Sequence, residues 1–113
     1  MKKVVEHGTL NKYRHHRCRC DLCKSVAMTY AREYRLKRRF NLTQEDYDIL
    51  FEQQNGVCDI CGGTNNGRTL AVDHNHVTGA VRGLLCLTCN AAIGMLQDDI
   101  TLLASAIVYL KKF

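Results

Sequence analysis

The 113-residue chain contains no proline and no tryptophan, and only eight aromatic residues, five Tyr and three Phe. Few large side chains are therefore available for a core. A chain this short also buries a smaller share of its surface than a large domain does. No apolar run approaches the roughly 18–20 residues that span a membrane, so no membrane partner is expected. Behind the lysines of Met1-Lys2-Lys3-Val4-Val5-Glu6-His7 there is no apolar stretch, so no secretory leader is expected either. That places the protein in a reducing cytoplasm, with free thiols instead of a disulfide framework. Hydrophobic residues at 46% and charged residues at 24% match an ordinary globular protein and exclude wholesale disorder.

What the chain does have is seven cysteines, and in a reducing compartment paired thiols point to metal. Cys58-x2-Cys61 and Cys86-x2-Cys89 are separated by 24 residues, enough for a hairpin that brings the two turns together. Four thiolates close a tetrahedral zinc site with Zn–S bonds of about 2.3 Å and leave no open position, so this zinc is structural. In a small core such an ion supplies much of the folding energy. Cys18, Cys20 and Cys23 offer three more thiols, and a fourth ligand has to come from His7, His15 or His16. His15 and His16 lie too close to Cys18 for easy closure. His7, followed by Gly8, has a loop long enough to return, and is the expected ligand of a second zinc.

Charge is divided unevenly. Residues 1–40 carry twelve Lys/Arg, including Lys2 and Lys3, against three acids, a net +9; the remainder carries four basic against eight acidic residues, a net −4. A basic arm of this kind, rich in arginine, points to nucleic acid. A helix is predicted from Lys24 to Arg39 with two stripes. Ala27, Tyr30, Ala31 and Tyr34 form one, read as core and not as a base-stacking platform. Arg32, Arg35 and Arg39 form the other, the candidate DNA phosphate contacts. Residues 1–23 read as irregular. Two domains are expected: 1–40, the arm, and 41–113, the main body.

After Asn41 a second helix starts at Thr43, with Asp46 in the acidic position of a capping box and Tyr47, Leu50 and Phe51 on its apolar face; Asn55-Gly56 ends it. Thr69–Asp73 and Ala80–Leu85 are the strands of a hairpin turning at Thr78-Gly79. A helix starts near Asn90. The last helix spans about Asp99–Lys111, capped by Asp98 or Asp99. Its apolar face is wide, so it packs on the first two helices or meets a second copy in a homodimer.

Inside the hairpin lies Asp73-His74-Asn75-His76. Asp73 and Asn90 are oxygen donors of the kind a hard divalent cation such as Mg²⁺ or Mn²⁺ takes. His74 is then available as a general base for water attack on phosphorus. Asn90 is equally a good N-cap, and the two roles compete for one oxygen. The stretch CDICGGTNNGRTLAVDHNHVTGAVRGLLCLTCNAAIGMLQDD, with LTQEDYDILFEQQNGVCDICG before it, resembles the HNH (ββα-metal) nucleases, specifically the phage recombination endonuclease VII group, over residues 42–99. The resemblance implies a small α+β zinc-stabilised domain: a ββα-metal core with flanking helices and the basic, cysteine-bearing arm. It also implies a metal-dependent DNA endonuclease, in the host cytoplasm if phage-encoded. Asp73 is similar to that group's metal-binding acid, His74 to its general base and Asn90 to the last motif position. His76 matches a second histidine that holds the scissile phosphate or the metal, and Arg82 faces phosphate. The plainer alternatives are a hairpin-end His76 without a role and an Arg82 paired with a carboxylate. At the level of function, the alternatives are a non-catalytic zinc-ribbon DNA-binding protein and a protein–protein module built on the last helix. Long junction-resolving members of the group leave nicking and double-strand cutting open beside junction resolution.

Overall fold

The computed structural model describes residues 7–113; Lys2 and Lys3 of the basic arm lie outside the described residues. The chain divides into two compact units between Glu45 and Asp46. Together they make a small α+β structure of five helices and one two-stranded sheet among the described residues.

The first unit holds α1 (Leu10–Arg14) and α2 (Asp21–Phe40), which pack on each other. Residues 1–23, expected to be irregular, thus include a helix. The Thr9 hydroxyl accepts a hydrogen bond from the Lys12 N–H at 3.1 Å and starts α1, a helix too short to leave a periodic signal. Helix α2 begins at Asp21 instead of Lys24, because Cys20 takes the extended N-cap backbone and Asp21 supplies negative charge to the first turn. Asn41, at φ 55°, closes α2 in the left-handed conformation, its N–H donating to Lys37 O at 3.0 Å. Lys37, Arg38 and Arg39 occupy the last turn, where the helix dipole favours positive charge. Only Cys23 and Leu36 of α2 are buried. The tyrosine stripe is therefore not core: Tyr30 and Tyr34 are 42% and 52% exposed. Five residues of α1 cannot cover the twenty of α2.

Helix α3 (Gln44–Gln53), all but its first two residues in the second unit, is followed by Asn55 and Gly56, both at positive φ. Tyr47 is buried and its hydroxyl donates to Leu70 O at 2.7 Å, while Phe51, on the same predicted face, is exposed. Strands β1 (Ala71–His74) and β2 (Val81–Leu85) pair antiparallel, two residues later and one residue later in starting than their sequence pattern suggests. Asn75 organises the turn between them: its side-chain oxygen accepts from the Val77 and Thr78 N–H groups, and its own N–H donates to Ala80 O at 2.8 Å. The buried Leu70, Leu84 and Leu85 sit with Tyr47, Cys58 and Cys86 at the centre of the unit's core.

Helix α4 (Leu87–Met95) lies against both strands. It begins at Leu87, not near Asn90, because the Cys86 sulfur caps it by accepting from Cys89 N–H at 3.4 Å. Asn90 is one turn inside. Helix α5 (Ile100–Lys111) is capped by Asp99, whose carboxylate accepts from the Thr101 and Leu102 N–H groups at 2.8 and 3.2 Å. No residue of α5 is buried, so its apolar face, expected either to pack on the first two helices or to meet a second copy, stays largely exposed. Among the described residues, no single helix is long and apolar enough to cross a membrane.

Candidate active site and metal centres

All seven cysteines are free of disulfides, and they gather into the two groups their spacing suggests. In the second unit the ligand atoms of Cys58, Cys61, Cys86 and Cys89 all lie within 4.8 Å of one another, with Cys61 and Cys86 Sγ 3.8 Å apart. Tetrahedral bonds of about 2.3 Å place sulfurs at about that separation. The tight turn that presents the first pair is closed by Cys58 N–H to Gly63 O at 2.8 Å. Backbone N–H groups of Ile60, Gly63 and Cys89 point at Cys58, Cys61 and Cys86 sulfurs, which stabilises thiolates.

Proton affinity reflects that crowding. Burial pushes the Cys58 thiol up, but backbone donors at Cys61, Cys86 and Ile60 outweigh it and bring it down to about 6. Cys89 is pushed up to about 12, first by its hydrogen bond with Cys86 and then by burial. Four thiolates cannot coexist this closely without a cation. Donor type and spacing thus fit zinc.

The first unit repeats the arrangement with His7, Cys18, Cys20 and Cys23, whose ligand atoms also lie within 4.8 Å of one another. His7 Nδ1 is 3.4, 3.3 and 4.0 Å from the three sulfurs in turn. Gly8, at φ 80°, makes the turn and donates its N–H to Cys23 Sγ at 3.3 Å. A backbone N–H at Cys23 brings the Cys20 thiol down to about 6. His15 and His16 are exposed and outside the group. This cluster too could hold zinc.

Asp73 lies near the end of β1, 7% exposed and the one charged residue that is buried among those described. The ladder pairs Asp73 with Gly83 and His74 with Val81, so Arg82 is the extra residue of a bulge. Bulges re-aim side chains. Here Arg82 Nε donates to Asp73 Oδ2 at 2.6 Å and Nη2 to Oδ1 at 2.8 Å, a bidentate pair that raises the guanidinium pKa. Arg82, expected to face phosphate, is thus found on a carboxylate. A Cβ on Gly83 beside it would press on Gln54 Oε1 at 3.2 Å.

His74 and His76 bring their rings to a centroid separation of 4.6 Å. His76 Nε2 also sits 3.4 Å from Asp98 Oδ2. Asn90 is half-buried on α4, with its N–H in the helical bond to Cys86 O at 3.0 Å. Since Cys86 caps that helix, Asn90 does not, and its amide is not committed to an N-cap bond.

Two contributors were not legible in the sequence as site residues. Gln54, past the end of α3, clamps β2 by donating to Leu84 O and accepting from Leu84 N–H, both at 2.8 Å. Asp98, read only as a helix cap, instead reaches Arg82 Nη2 at 3.4 Å. The one sequence signal was a pair of acids where a single cap suffices.

Arg32, Arg35 and Arg39 lie along α2, Arg35 and Arg39 exposed and Arg32 half-buried. Arg14 stands over the Tyr30 ring at 4.8 Å, and Tyr30 stacks near Tyr34 with ring centroids 6.4 Å apart.

A family model described as recombination endonuclease VII matches residues 33–112. Among curated proteins, the chain is similar to the Gene 59 protein of Mycobacterium phage D29, with 43% identity over 79% of this chain and 55% of that protein. It is also similar to the Gene 59 protein of Mycobacterium phage L5, with 41% identity over 69% of this chain and 49% of that protein. The chain spans about half the length of these relatives. No solved structure matches.

Proposed function

The chain belongs to the recombination endonuclease VII family, and we propose that it is an HNH-type endonuclease that hydrolyses phosphodiester bonds of DNA. The observation that carries the reading is the placement of a buried Asp73, with His74 next to it, on a two-stranded hairpin with α4 against it and a four-cysteine cluster at its base.

Asp73 and Asn90 would hold a divalent cation, Mg²⁺ or Mn²⁺. The donor set fits: a carboxylate and an amide supply hard oxygen ligands. Asp73 already binds a positive group, and each of its oxygens keeps a lone pair beyond the one Arg82 uses. Such an ion supplies neutralisation of charge on the phosphate and on the leaving oxygen. His74 removes the proton from the attacking water, a task suited to an imidazole near neutral pH. His76 and Arg82 contact the scissile phosphate. The two zinc clusters are structural and pin the elements that carry these groups.

Arg32, Arg35 and Arg39 supply phosphate contacts that hold DNA without reading its sequence. The uncovered apolar face of α5 fits a second copy of the chain. A zinc-ribbon protein that only bound DNA would need none of the Asp73, His74 and Asn90 set. The test is Asp73→Ala: cleavage of duplex DNA is lost, while DNA affinity and zinc content stay at wild-type levels. Cleavage at the wild-type rate would remove Asp73 from the chemistry and leave the DNA-binding alternative.

A further inference from the structure

Arg82 is one cation serving two carboxylates. Its Nε and Nη2 are on Asp73 at 2.6 and 2.8 Å, and the same Nη2 is 3.4 Å from Asp98 Oδ2. That Asp98 oxygen also takes His76 at 3.4 Å. The other, Oδ1, is buried without a hydrogen-bond partner among the described residues. A buried carboxylate oxygen left unsatisfied is costly, and chains seldom retain one without a use.

The backbone is also strained to place it there. Gln97 and Asp98 are consecutive non-glycine residues at φ 58° and 53°, a conformation L-residues avoid. The turn is held by Asp98 N–H to Ile93 O at 2.9 Å and Gln97 N–H to Gly94 O at 3.0 Å. Asp98 is not needed as a cap, because Asp99 fills that role for α5. With His76 neutral, two carboxylates and one guanidinium leave the group with one uncompensated negative charge, which a second cation balances.

We propose that Asp98 is a positioning residue that receives Arg82 when Asp73 takes a divalent cation. This rests on the nuclease reading above. The Asp98 Oδ1 atom, buried and unpartnered, accepts the guanidinium N–H released from Asp73. In the DNA-free protein Asp98 is the one other carboxylate that Arg82 reaches among the described residues, so without it Arg82 stays on Asp73 as a competitor for the cation. Asp98 thus sets how readily Asp73 is opened.

Mn²⁺ binding to the zinc-loaded protein, read from the loss of the free-ion electron paramagnetic resonance signal, tests this without any turnover. Zinc content and melting temperature are measured alongside. Asp98→Asn is expected to weaken Mn²⁺ binding about tenfold, a usual size for coupling between contacting charges. Arg82→Gln removes the competitor and is expected to bind Mn²⁺ at least as tightly as wild type. In the Arg82→Gln background, Asp98→Asn should then change little. An equal or larger effect in that background would mean that Asp98 acts only as a nearby charge, and the proposal falls. Weaker binding by Arg82→Gln alone overturns it independently, even if Asp98→Asn fails to fold. Equal binding by wild type and Asp73→Asn would instead bring down the parent reading, and this one with it.

Discussion

At the scale of single residues, the two thiol clusters have a predictable pH behaviour. In the metal-free chain the Cys58 and Cys20 thiols are lowered from 9.0 to about 6. Their ionised forms favour the folded state fully above pH 9, and that contribution fades as pH falls toward about 6. Cys89, raised to about 12, runs the other way: its contribution is complete below pH 9 and fades as pH rises toward 12. Near neutrality each cluster therefore holds a thiolate ready to start ligation, and protons compete with zinc only on the acid side. Zinc should be retained at pH 7.5, at about two equivalents per chain, and released progressively below about pH 6, as read with a chromophoric chelator. His7→Ala should remove one equivalent and spare the other. Retention of both in that variant would remove His7 from the ligand set. The two clusters were legible because cysteine spacing shows which thiols can come together. Asp98 was not, since its partners Arg82 and His76 are brought to it only by a bulge and a left-handed turn.

Secondary-structure elements that carry a strong local signal fall where the sequence places them. Asn41 and the Asn55-Gly56 pair end their helices by adopting positive φ, and Asp99 caps α5. The two misplaced helix starts, of α2 and α4, share a cause, which is cysteine at the N-cap. Cys20 and Cys86 occupy the N-cap positions of α2 and α4, yet sulfur is a weak acceptor and cysteine is not among the preferred caps. A zinc ion held by such a thiolate would fix it and give the helix its starting point. The Gln54 clamp was hidden for a different reason: it spans thirty residues of sequence. Replacing Gln54 with Ala leaves the buried Leu84 N–H and C=O without that side chain and should cost about 1–3 kcal/mol. In a domain of this size each kcal/mol lowers Tm by about 4–8 °C. An unchanged melting temperature would show that α3 is not held to β2 through this side chain.

For the whole molecule, charge and metal divide the work. The basic residues concentrate in 1–40, at net +9, and the Asp-His pair lies in the remainder, at net −4. Binding by phosphate contact releases counterions, so affinity for duplex DNA should fall steeply with salt. Substituting Arg32, Arg35 and Arg39 together with Ala should flatten the slope of log affinity against log salt by about 0.9 for each phosphate no longer neutralised. A slope equal to the wild type would move the DNA-binding surface elsewhere. Composition alone could not have revealed that α5 stays uncovered, because a wide apolar stripe looks the same whether it meets its own chain or another. Ile107, Leu110 and Tyr109 are 54%, 70% and 60% exposed, a face of the kind that the proposed second copy would cover.

The most direct test of the central claim is cleavage of supercoiled plasmid by wild type and His74→Ala, each with EDTA, Mg²⁺ and Mn²⁺. Wild type should nick or linearise the plasmid only with a divalent cation. His74→Ala should be slower by about 10²–10⁴-fold, the usual worth of a general base, while binding the same DNA with unchanged affinity. Binding by both proteins with no cleavage under any condition would contradict the account and leave a zinc-built DNA-binding protein.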